Sequence, residues 1–240
     1  MNTIIIKNSD LLKPNLYRVQ SKTIIHHIIK VLKLNVGETL KVCLLNEGVG
    51  TGVIQSLSNE EVTIFVKEED LLKKRAPWVN LIVGLSRPQT CKKVLELGTS
   101  MGVKSFKFLN AELSEKSYAQ SKIFQNNTFE KYILNGLSQS SNLHIKPSLK
   151  VAKSFNENLG ENEQKLILSP FSEKNLNDIT IDFEKQITVA IGPERGWTDK
   201  EVNEFKSHNF LDVKISSSVL RVETATISIL SQLELLKNKI

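Results

Sequence analysis

A strand, a glycine loop and a helix start follow one another over residues 187–202, and this order constrains the fold most. Ile187–Ile191 is a short apolar run rich in β-branched residues, which is typical of a buried parallel strand. The loop Gly192–Gly196 comes next, and Thr198 with Glu201 has the pattern of a capping box at a helix start. Loops at the carboxyl ends of strands bind ligands in open α/β sheets. An ordinary strand-to-helix turn fits these residues equally well.

The chain on both sides of this segment predicts two different architectures. After Pro77, strands alternate with helices, which favours an α/β domain with a mostly parallel sheet. Strands are predicted at 78–85, 105–109, 166–168, 187–191 and 212–215, and helices at 88–97, 126–139, from 198 and at 225–237. Before Pro77, short strands at 3–7, 39–45, 52–57 and 62–67 with one helix at 23–32 indicate a small β-barrel. The charged run before Pro77 marks a boundary, so we predict domains at 1–75 and 76–240.

The charge balance favours a polyanionic partner. The net charge is +6 and the pI is about 9.2. RNA is the commonest such partner, although many basic proteins bind no nucleic acid. No apolar run reaches the ~20 residues that a transmembrane helix needs, and neither Cys43 nor Cys91 has the spacing of a metal site. We therefore expect a reduced, cytoplasmic protein without a membrane or metal partner.

Two motifs near the C-terminus carry a family resemblance. Gly192-Pro-Glu-Arg-Gly-Trp197 is similar to Gly-Pro-Glu-Gly-Gly-Phe, and Leu220-Arg-Val-Glu-Thr-Ala225 to Leu-Arg-Thr-Glu-Thr-Ala. Weaker matches lie at His27–Gly37, at Met101-Gly-Val103 with Phe106–Glu112, and at Gln139-Ser140 with Pro147. In these motifs the chain resembles the bacterial 16S ribosomal RNA uridine N3-methyltransferase family, called RsmE, of the SPOUT class. The resemblance covers nearly the full length.

The resemblance implies a fold, a cofactor and partners. The fold is α/β, with a SPOUT-type trefoil-knotted parallel-sheet domain preceded by a small PUA-like β-barrel that helps to hold RNA. The cofactor is S-adenosylmethionine, and the partners are 16S ribosomal RNA or the small ribosomal subunit and a second copy in a homodimer. The residues implied to bind the cofactor lie on three loops: Leu168, Ser169, Pro170, Ile191, Gly192, Pro193, Gly196, Ile215, Ser216, Leu220, Thr224 and Ala225.

The chemistry of uridine methylation suggests which side chains act. Uracil N3 is a poor nucleophile while it is protonated, so a site must remove that proton or stabilise the anion. Arg221 is the candidate for stabilising the charge, and Glu194 and Glu223 are candidates for orienting groups or a base. A structural ion pair between Arg221 and one of these glutamates remains an alternative. The candidates for contacting RNA phosphate are His27, Lys30, Lys33, Arg87 and Lys92, with Lys93 beside them.

The sequence departs from the family pattern at several positions. Arg195 replaces a glycine of the loop, Asn142 stands where arginine is usual, and Leu113 follows Glu112 where the family tends to have arginine. Each change removes or moves charge near the expected substrate face. Two alternatives therefore stay open: a methyltransferase with a different RNA target, and a non-catalytic RNA-binding or ribosome-assembly protein on the same fold. A polar loop is also predicted at 156–164.

Overall fold

The computed structural model describes residues 3–153 and 163–238, so most of the loop predicted at 156–164 lies outside the described residues. The chain forms two compact units. The first contains the residues up to Ala76 together with Leu137–Lys146, and the second contains Pro77–Gly136 and the residues from Pro147 onward. The sequence gives no indication that residues 137–146 belong to the first unit. This segment is held by backbone bonds, in which Thr3 N–H donates to Ser138 O at 3.1 Å and Asn46 N–H donates to His144 O at 2.8 Å.

A six-stranded mixed sheet forms the first unit. Its strands are β1 (Ile4–Ile6), β2 (Leu11–Lys13), β3 (Leu16–Val19), β4 (Thr39–Leu44), β5 (Gly48–Leu57) and β6 (Val62–Val66). They lie in the order β1-β4-β5-β6-β3-β2, with β1 parallel to β4 and the other neighbours antiparallel. One face is closed by a core in which Ile6, Val42, Ile54 and Ile64 are fully buried.

The helix predicted at 23–32 is present in an altered form. It consists of α1 (Lys22–His26), continued by a π-helical turn over His27–Leu32 that ends at Lys33 in the left-handed region, with φ 54°. Strands β2 and β3 were not predicted. All residues of β2 are exposed, so it shows no alternation of apolar and polar residues, and a tight turn at Asn15 with φ 63° joins it to β3.

The second unit contains a parallel sheet with alternating helices, as the sequence predicts. Its elements are β7 (Val79–Gly84), α2 (Pro88–Ser100), β8 (Val103–Leu109), α3 (Glu130–Gln139), β9 (Ser148–Ala152), β10 (Glu163–Leu168), β11 (Gln186–Ile191), α4 (Asp199–Ser207), β12 (Leu211–Val213) and α5 (Val222–Lys237). The strand order is β12-β10-β11-β7-β8-β9, and every neighbouring pair is parallel. Helix α3 begins later than the predicted residue 126 because Asn126 and Asn127 have left-handed φ values of 48° and 56°.

The order of the last strands brings three loops together. Because β10 lies between β11 and β12, the loops that leave the carboxyl ends of these strands meet at one edge of the sheet. After β12 the chain returns to α5, which packs on α2 and β11. This return is the connection expected to form the knot. Within residues 3–153 and 163–238, no helix is long and apolar enough to span a bilayer.

Candidate active site

A cavity of about 250 Å³ lies where the three loops meet. Its lining includes every residue predicted to bind the cofactor except one: Leu168, Ser169, Pro170, Ile191, Gly192, Pro193, Gly196, Ile215, Ser216, Leu220 and Ala225. The exception is Thr224, which is exposed in the first turn of α5. The wall is mostly apolar, as small-molecule sites usually are.

The lining also contains residues that the sequence reasoning did not assign to it. They are Phe171, Glu194, Arg195, Trp197, Val202, Val213, Lys214, Ser218, Val219 and Val222. Most of them lie next to a predicted cofactor-binding residue on the same loop. Their position beside the motifs could therefore have indicated that they line the cavity. Glu194 had been assigned a catalytic role only.

The glycine loop is folded so that a side chain is disfavoured at two of its positions and at one position in the neighbouring strand. Gly196 has φ 77°, a conformation that L-residues rarely adopt, and its N–H donates to Pro193 O at 2.8 Å. A Cβ on Gly192 would lie 3.1 Å from Gly196 Cα, so the two sides of the loop are in close contact. At the end of β7, a Cβ on Gly84 would lie 2.3 Å from Pro193 Cδ. The loop is therefore fixed against both itself and the sheet.

The capping box predicted at the start of α4 is confirmed. Thr198 Oγ1 accepts a hydrogen bond from Glu201 N–H, and Thr198 N–H donates to Glu201 Oε2 at 2.9 Å. The other carboxylate oxygen of Glu201 accepts the backbone N–H of Glu112 at 2.9 Å. Glu112 in turn receives bonds from Thr198 Oγ1 and from Lys200 Nζ, and the hydrogen bond from Lys200 is the main cause that holds the Glu112 pKa below its usual range. The Phe106–Glu112 motif is thus tied to the glycine-loop motif.

Trp197 connects the loop with the packing beneath it. Its ring lies 5.0 Å from that of Phe205, centroid to centroid, and it packs with Val202 on the small core beneath α4, which is the arrangement of a hydrophobic staple. Its indole N–H is buried and has no hydrogen-bond partner in the described part of the chain. Unpaired buried donors are uncommon in folded proteins, and this one belongs to a residue of the cavity wall.

Arg221 occupies the N-cap position of α5 and is exposed. The ion pair with a glutamate that the sequence left open is not formed: within the described residues, the guanidinium of Arg221 makes no salt bridge with Glu194 or Glu223. Arg221 acts on Glu223 only as a nearby charge. The guanidinium is therefore available to a substrate bound next to the cavity, although Arg221 itself does not line it.

Both candidate acidic residues are held by one side of α2. Glu194 Oε1 accepts the backbone N–H of Arg87 at 2.8 Å and the hydroxyl of Thr90 at 3.3 Å. Glu223 Oε1 accepts a charge-assisted bond from Lys93 Nζ at 3.1 Å. Residues three positions apart on a helix lie on the same face, so Thr90 and Lys93 form a continuous stripe. This stripe fixes Glu194 of the glycine loop and Glu223 of the first turn of α5.

The state of Glu223 follows from these neighbours. Burial opposes its charged form, but its own backbone N–H, the Lys93 ammonium and the nearby Arg221 outweigh that effect and hold the pKa of the carboxyl below its usual range. A carboxylate with a lowered pKa is a weak base at neutral pH. Glu223 is therefore suited to holding Lys93 and the first turn of α5 rather than to removing a proton.

The cysteines take no part in this site. Burial raises the pKa of the Cys43 thiol to about 12, and it raises that of Cys91 to about 12 as well, so both are protonated at neutral pH. Cys91 Sγ donates to Ser86 O at 3.3 Å beneath the start of α2. Nowhere in the described ranges do three or more metal-ligating side chains form a group that could hold an ion.

The predicted RNA-binding residues belong to both units. His27, Lys30 and Lys33 lie on the π-helical turn of the first unit, where Lys30 and Lys33 are exposed and His27 is half-buried. In the second unit, Arg87 is the exposed N-cap of α2, and Lys92 places its ammonium 5.5 Å from the centroid of the Tyr132 ring. Lys93, the further candidate, is engaged with Glu223.

Comparison with known proteins identifies the family. The sequence matches the RNA methyltransferase domain over residues 73–234 and the RNA methyltransferase PUA domain over residues 21–67. It is 34% identical to ribosomal RNA small subunit methyltransferase E 1 of Borreliella burgdorferi, over 84% of this chain and 85% of the relative. The chain belongs to the ribosomal RNA small subunit methyltransferase E family. A further member, from Treponema pallidum, is 30% identical over 83% of this chain and 77% of the relative.

A solved structure agrees with the fold of this methyltransferase family member. Ribosomal RNA small subunit methyltransferase E from Neisseria gonorrhoeae, bound to S-adenosyl methionine, superposes with a TM-score of 0.78 at 19% identity and covers 98% of both chains. Together with the PUA match and the parallel sheet, this likeness confirms the predicted architecture, a PUA-like N-terminal domain followed by an α/β domain with a parallel sheet, while the SPOUT-type trefoil knot stays a prediction.

Proposed function

We propose that this methyltransferase transfers a methyl group from S-adenosylmethionine to N3 of a uridine in 16S ribosomal RNA of the small subunit. The observation that carries the proposal is the cavity at the carboxyl edge of the sheet, whose lining contains nearly all the residues implied to hold the cofactor. The family membership supports the same activity, because the relatives are named as small subunit ribosomal RNA methyltransferases.

The residues of the lining fit this cofactor. Leu168, Ile191, Ile215 and Leu220 offer an apolar surface for an adenine ring, while the tight approach at Gly192 exposes backbone groups for hydrogen bonds. When bound, S-adenosylmethionine supplies a methyl group on a sulfonium. The protein holds the two reactants in line, and such positioning supplies much of the acceleration of a displacement.

Arg221 has the chemistry that the acceptor requires. Uracil N3 forms the new bond to the methyl carbon, the sulfur keeps the electron pair of the broken bond, and the N3 proton is released. Negative charge on the uracil ring builds up as that proton leaves, and a guanidinium at the N-cap of α5 stabilises it. Glu194 and Glu223 act as positioning residues in this scheme, because α2 already binds both of them.

The partners and location follow from the same scheme. The substrate is 16S ribosomal RNA or the assembled small subunit, which places the enzyme in the cytoplasm, and the working form is a homodimer. His27, Lys30 and Lys33 of the PUA-like unit, with Arg87 and Lys92 of the second unit, contact RNA phosphates. Such contacts add affinity without sequence specificity.

Replacement of Arg221 tests the mechanism. Arg221→Ala is expected to lower kcat for methylation of small ribosomal subunits by roughly 10²–10³-fold, the usual loss when a group that stabilises developing charge is removed. Calorimetric affinity for S-adenosylmethionine should stay close to that of the wild type, because Arg221 does not line the cavity. Arg221→Lys keeps the charge but not the planar fork and should recover part of the rate. Wild-type turnover in Arg221→Ala would remove the residue from the mechanism.

Titration of the wild type with S-adenosylmethionine separates the enzyme from a non-catalytic RNA-binding protein. Arg195 is the departure that bears on this choice, because it lies on the cavity wall where the family has glycine. The residue is exposed, so its side chain has room to turn toward solvent when the cofactor binds. We therefore expect saturable cofactor binding. A folded protein that fails to bind it, with or without ribosomal subunits, would favour the non-catalytic role.

A further inference from the structure

Two apolar side chains at the cavity are almost fully exposed. Phe171 is 88% exposed and Val219 is 76% exposed, yet both belong to the lining of the cavity. They come from different loops, Phe171 from the loop after β10 and Val219 from the segment before α5. They therefore form an apolar rim at the mouth of the cavity, the rim of Phe171 and Val219.

Hydrogen bonds within its loop hold Phe171 in an exposed position. Phe171 N–H donates to Ser169 Oγ at 3.3 Å, and the next residue, Ser172, is buried and donates its hydroxyl to Asp212 O at 3.0 Å. Ser172 Oγ also accepts the N–H of Lys174 at 3.2 Å. The backbone on both sides of Phe171 is thus hydrogen-bonded to fixed groups. A loop held in this way keeps a large apolar ring in water at the edge of the cavity, where the ring can contact a bound ligand.

The charged residues beside the rim indicate which kind of ligand the rim binds. The charged residues of the lining are Glu194, Arg195 and Lys214. Glu194 is engaged by α2, and Lys214 lies near Asp178, whose carboxyl pKa it helps to lower. Arg195 has neither a hydrogen bond nor an ion pair to any residue that the structure describes, and it is exposed. S-adenosylmethionine carries one carboxylate against an ammonium and a sulfonium, so it is cationic overall. A polyanion such as RNA attracts an exposed guanidinium more strongly than this cofactor does.

The reaction itself requires unpaired RNA at this place. Uracil N3 belongs to the edge that pairs with adenine, so it can reach a methyl group only when the nucleotide is unpaired and turned out of a helix. The neighbouring nucleotides are then unstacked as well. Proteins that bind such strands place aromatic side chains against bases and arginines against phosphates.

From these observations we infer that the rim of Phe171 and Val219 binds a nucleotide next to the target uridine, with its base stacked on the Phe171 ring and its phosphate held by Arg195. The inference rests on the proposed function and assigns substrate binding to Phe171 and Val219, which lie outside the family motifs, and to Arg195, which departs from the motif in which it lies. Val219 covers the edge of the same base. The rim thereby selects single-stranded RNA and orients the target above the cavity.

A second copy of the chain fits the rim less well. Two-fold contacts place the same surface patch of each protomer against the other. Each protomer would then bury an Arg195 side chain that has no ionic partner in the described residues, and a buried charge without a partner is costly. RNA instead supplies the negative charge that Arg195 lacks.

The test compares Phe171→Ala, Phe171→Trp and Arg195→Gln with the wild type, each saturated with S-adenosylhomocysteine. Fluorescein-labelled single-stranded oligouridine and purified small ribosomal subunits serve as the RNA probes. Phe171→Ala should weaken RNA binding and raise KM for subunits by on the order of tenfold to a hundredfold, and Phe171→Trp should restore both. Arg195→Gln should reduce the slope of log affinity against log salt by about 0.7, the value for one phosphate contact to a single strand.

Controls separate this inference from the proposed function. Leu235→Ala removes another apolar side chain, 57% exposed on α5 and outside the cavity lining, and should leave RNA affinity unchanged. Phe171 and Arg195 line the cavity, so the affinity of every variant for S-adenosylhomocysteine is measured by calorimetry, and RNA binding is compared only at saturation. The inference is overturned if wild-type protein binds S-adenosylmethionine and methylates subunits while Phe171→Ala binds both RNA probes as tightly. It is equally overturned if Phe171→Ala lowers the mass in sedimentation velocity, because a second copy then covers the rim. A wild type without methyl transfer would overturn the proposed function itself.

Discussion

Gly84 is the residue whose replacement should damage the cofactor site most without touching the cofactor. Gly84 ends β7, and a Cβ there would lie 2.3 Å from Pro193 Cδ and 2.5 Å from Pro193 N. Carbon atoms in ordinary contact are ~3.5–4.0 Å apart. Gly84→Ala therefore requires Pro193 and its loop to move away by more than ~1 Å, because the atoms in the way belong to a rigid ring and its backbone.

Two effects follow from this displacement. Overpacking of a fixed site costs about 1–3 kcal/mol of the free energy of unfolding, which corresponds to a fall in Tm of roughly 2–12 °C for a domain of this size. Gly192 and Gly196 belong to the same loop as Pro193 and line the cavity, so the cofactor should bind at least tenfold more weakly. A misplacement of ~1 Å also costs about 100-fold in turnover.

Denaturation and calorimetry measure both effects. Urea unfolding gives the loss of stability, and titration with S-adenosylmethionine gives the change in affinity. Gly50→Ala is the matched control, because it also adds a Cβ to a strand glycine, and the nearest atom, at 3.0 Å, is the flexible Leu71 Cδ2. The control should lose less than about 1 kcal/mol and bind the cofactor normally. If Gly84→Ala melts and binds like the wild type, the close contact between β7 and the loop does not exist.

Two further changes test the contacts around the loops. In a double-mutant cycle of Lys93→Met and Glu223→Gln, we expect a coupling of about 0.5–1 kcal/mol in unfolding free energy, since Lys93 is largely exposed and the pair is partly screened. Because the Glu223 pKa is lowered in the folded state, the coupling between Lys93 and Glu223 should be fully present above about pH 5 and should fade as the pH falls through the folded pKa. A coupling that does not change with pH would contradict the charged state assigned to Glu223. Thr198→Ala should cost about 1 kcal/mol in urea unfolding because it removes the N-cap of α4, while Thr198→Ser should retain most of it; equal stability of the two variants would show that the cap contributes nothing.

The parts of the fold that could be predicted from sequence are those specified locally. The start of α4 is an example, because Thr198 and Glu201 lie within one turn and their bonding follows from spacing alone. The parallel sheet follows from the alternation of strands and helices after Pro77. Edge strands such as β2 and β9 were missed because short, mostly exposed strands show little alternation of apolar and polar residues.

The site could be predicted only in part, for the same reason. The loop residues were found through the family motifs, which lie close together in sequence. The partners of the acidic residues were not, because Glu194 is bound by Arg87, 107 positions away, and Glu223 by Lys93, 130 positions away. No local pattern encodes such contacts. The rim of Phe171 and Val219 could not be predicted, because Phe171 belongs to no helical or strand-like pattern of apolar residues. Its exposure depends on how its loop is folded.

The strand order of the second unit has a consequence for synthesis of the chain on the ribosome. The cavity is formed by the loops after β10, β11 and β12, so no part of it can assemble before the last third of the sequence has been made. Strand β11 must then pair with β7, which was translated about a hundred residues earlier, and α5 must pack on α2. Contacts between such distant segments form slowly. The first unit, in contrast, has nearly all its strands within the first 66 residues. A nascent chain can thus form the sheet of its first unit well before the cavity exists, while residues 137–146, which complete that unit, are made later.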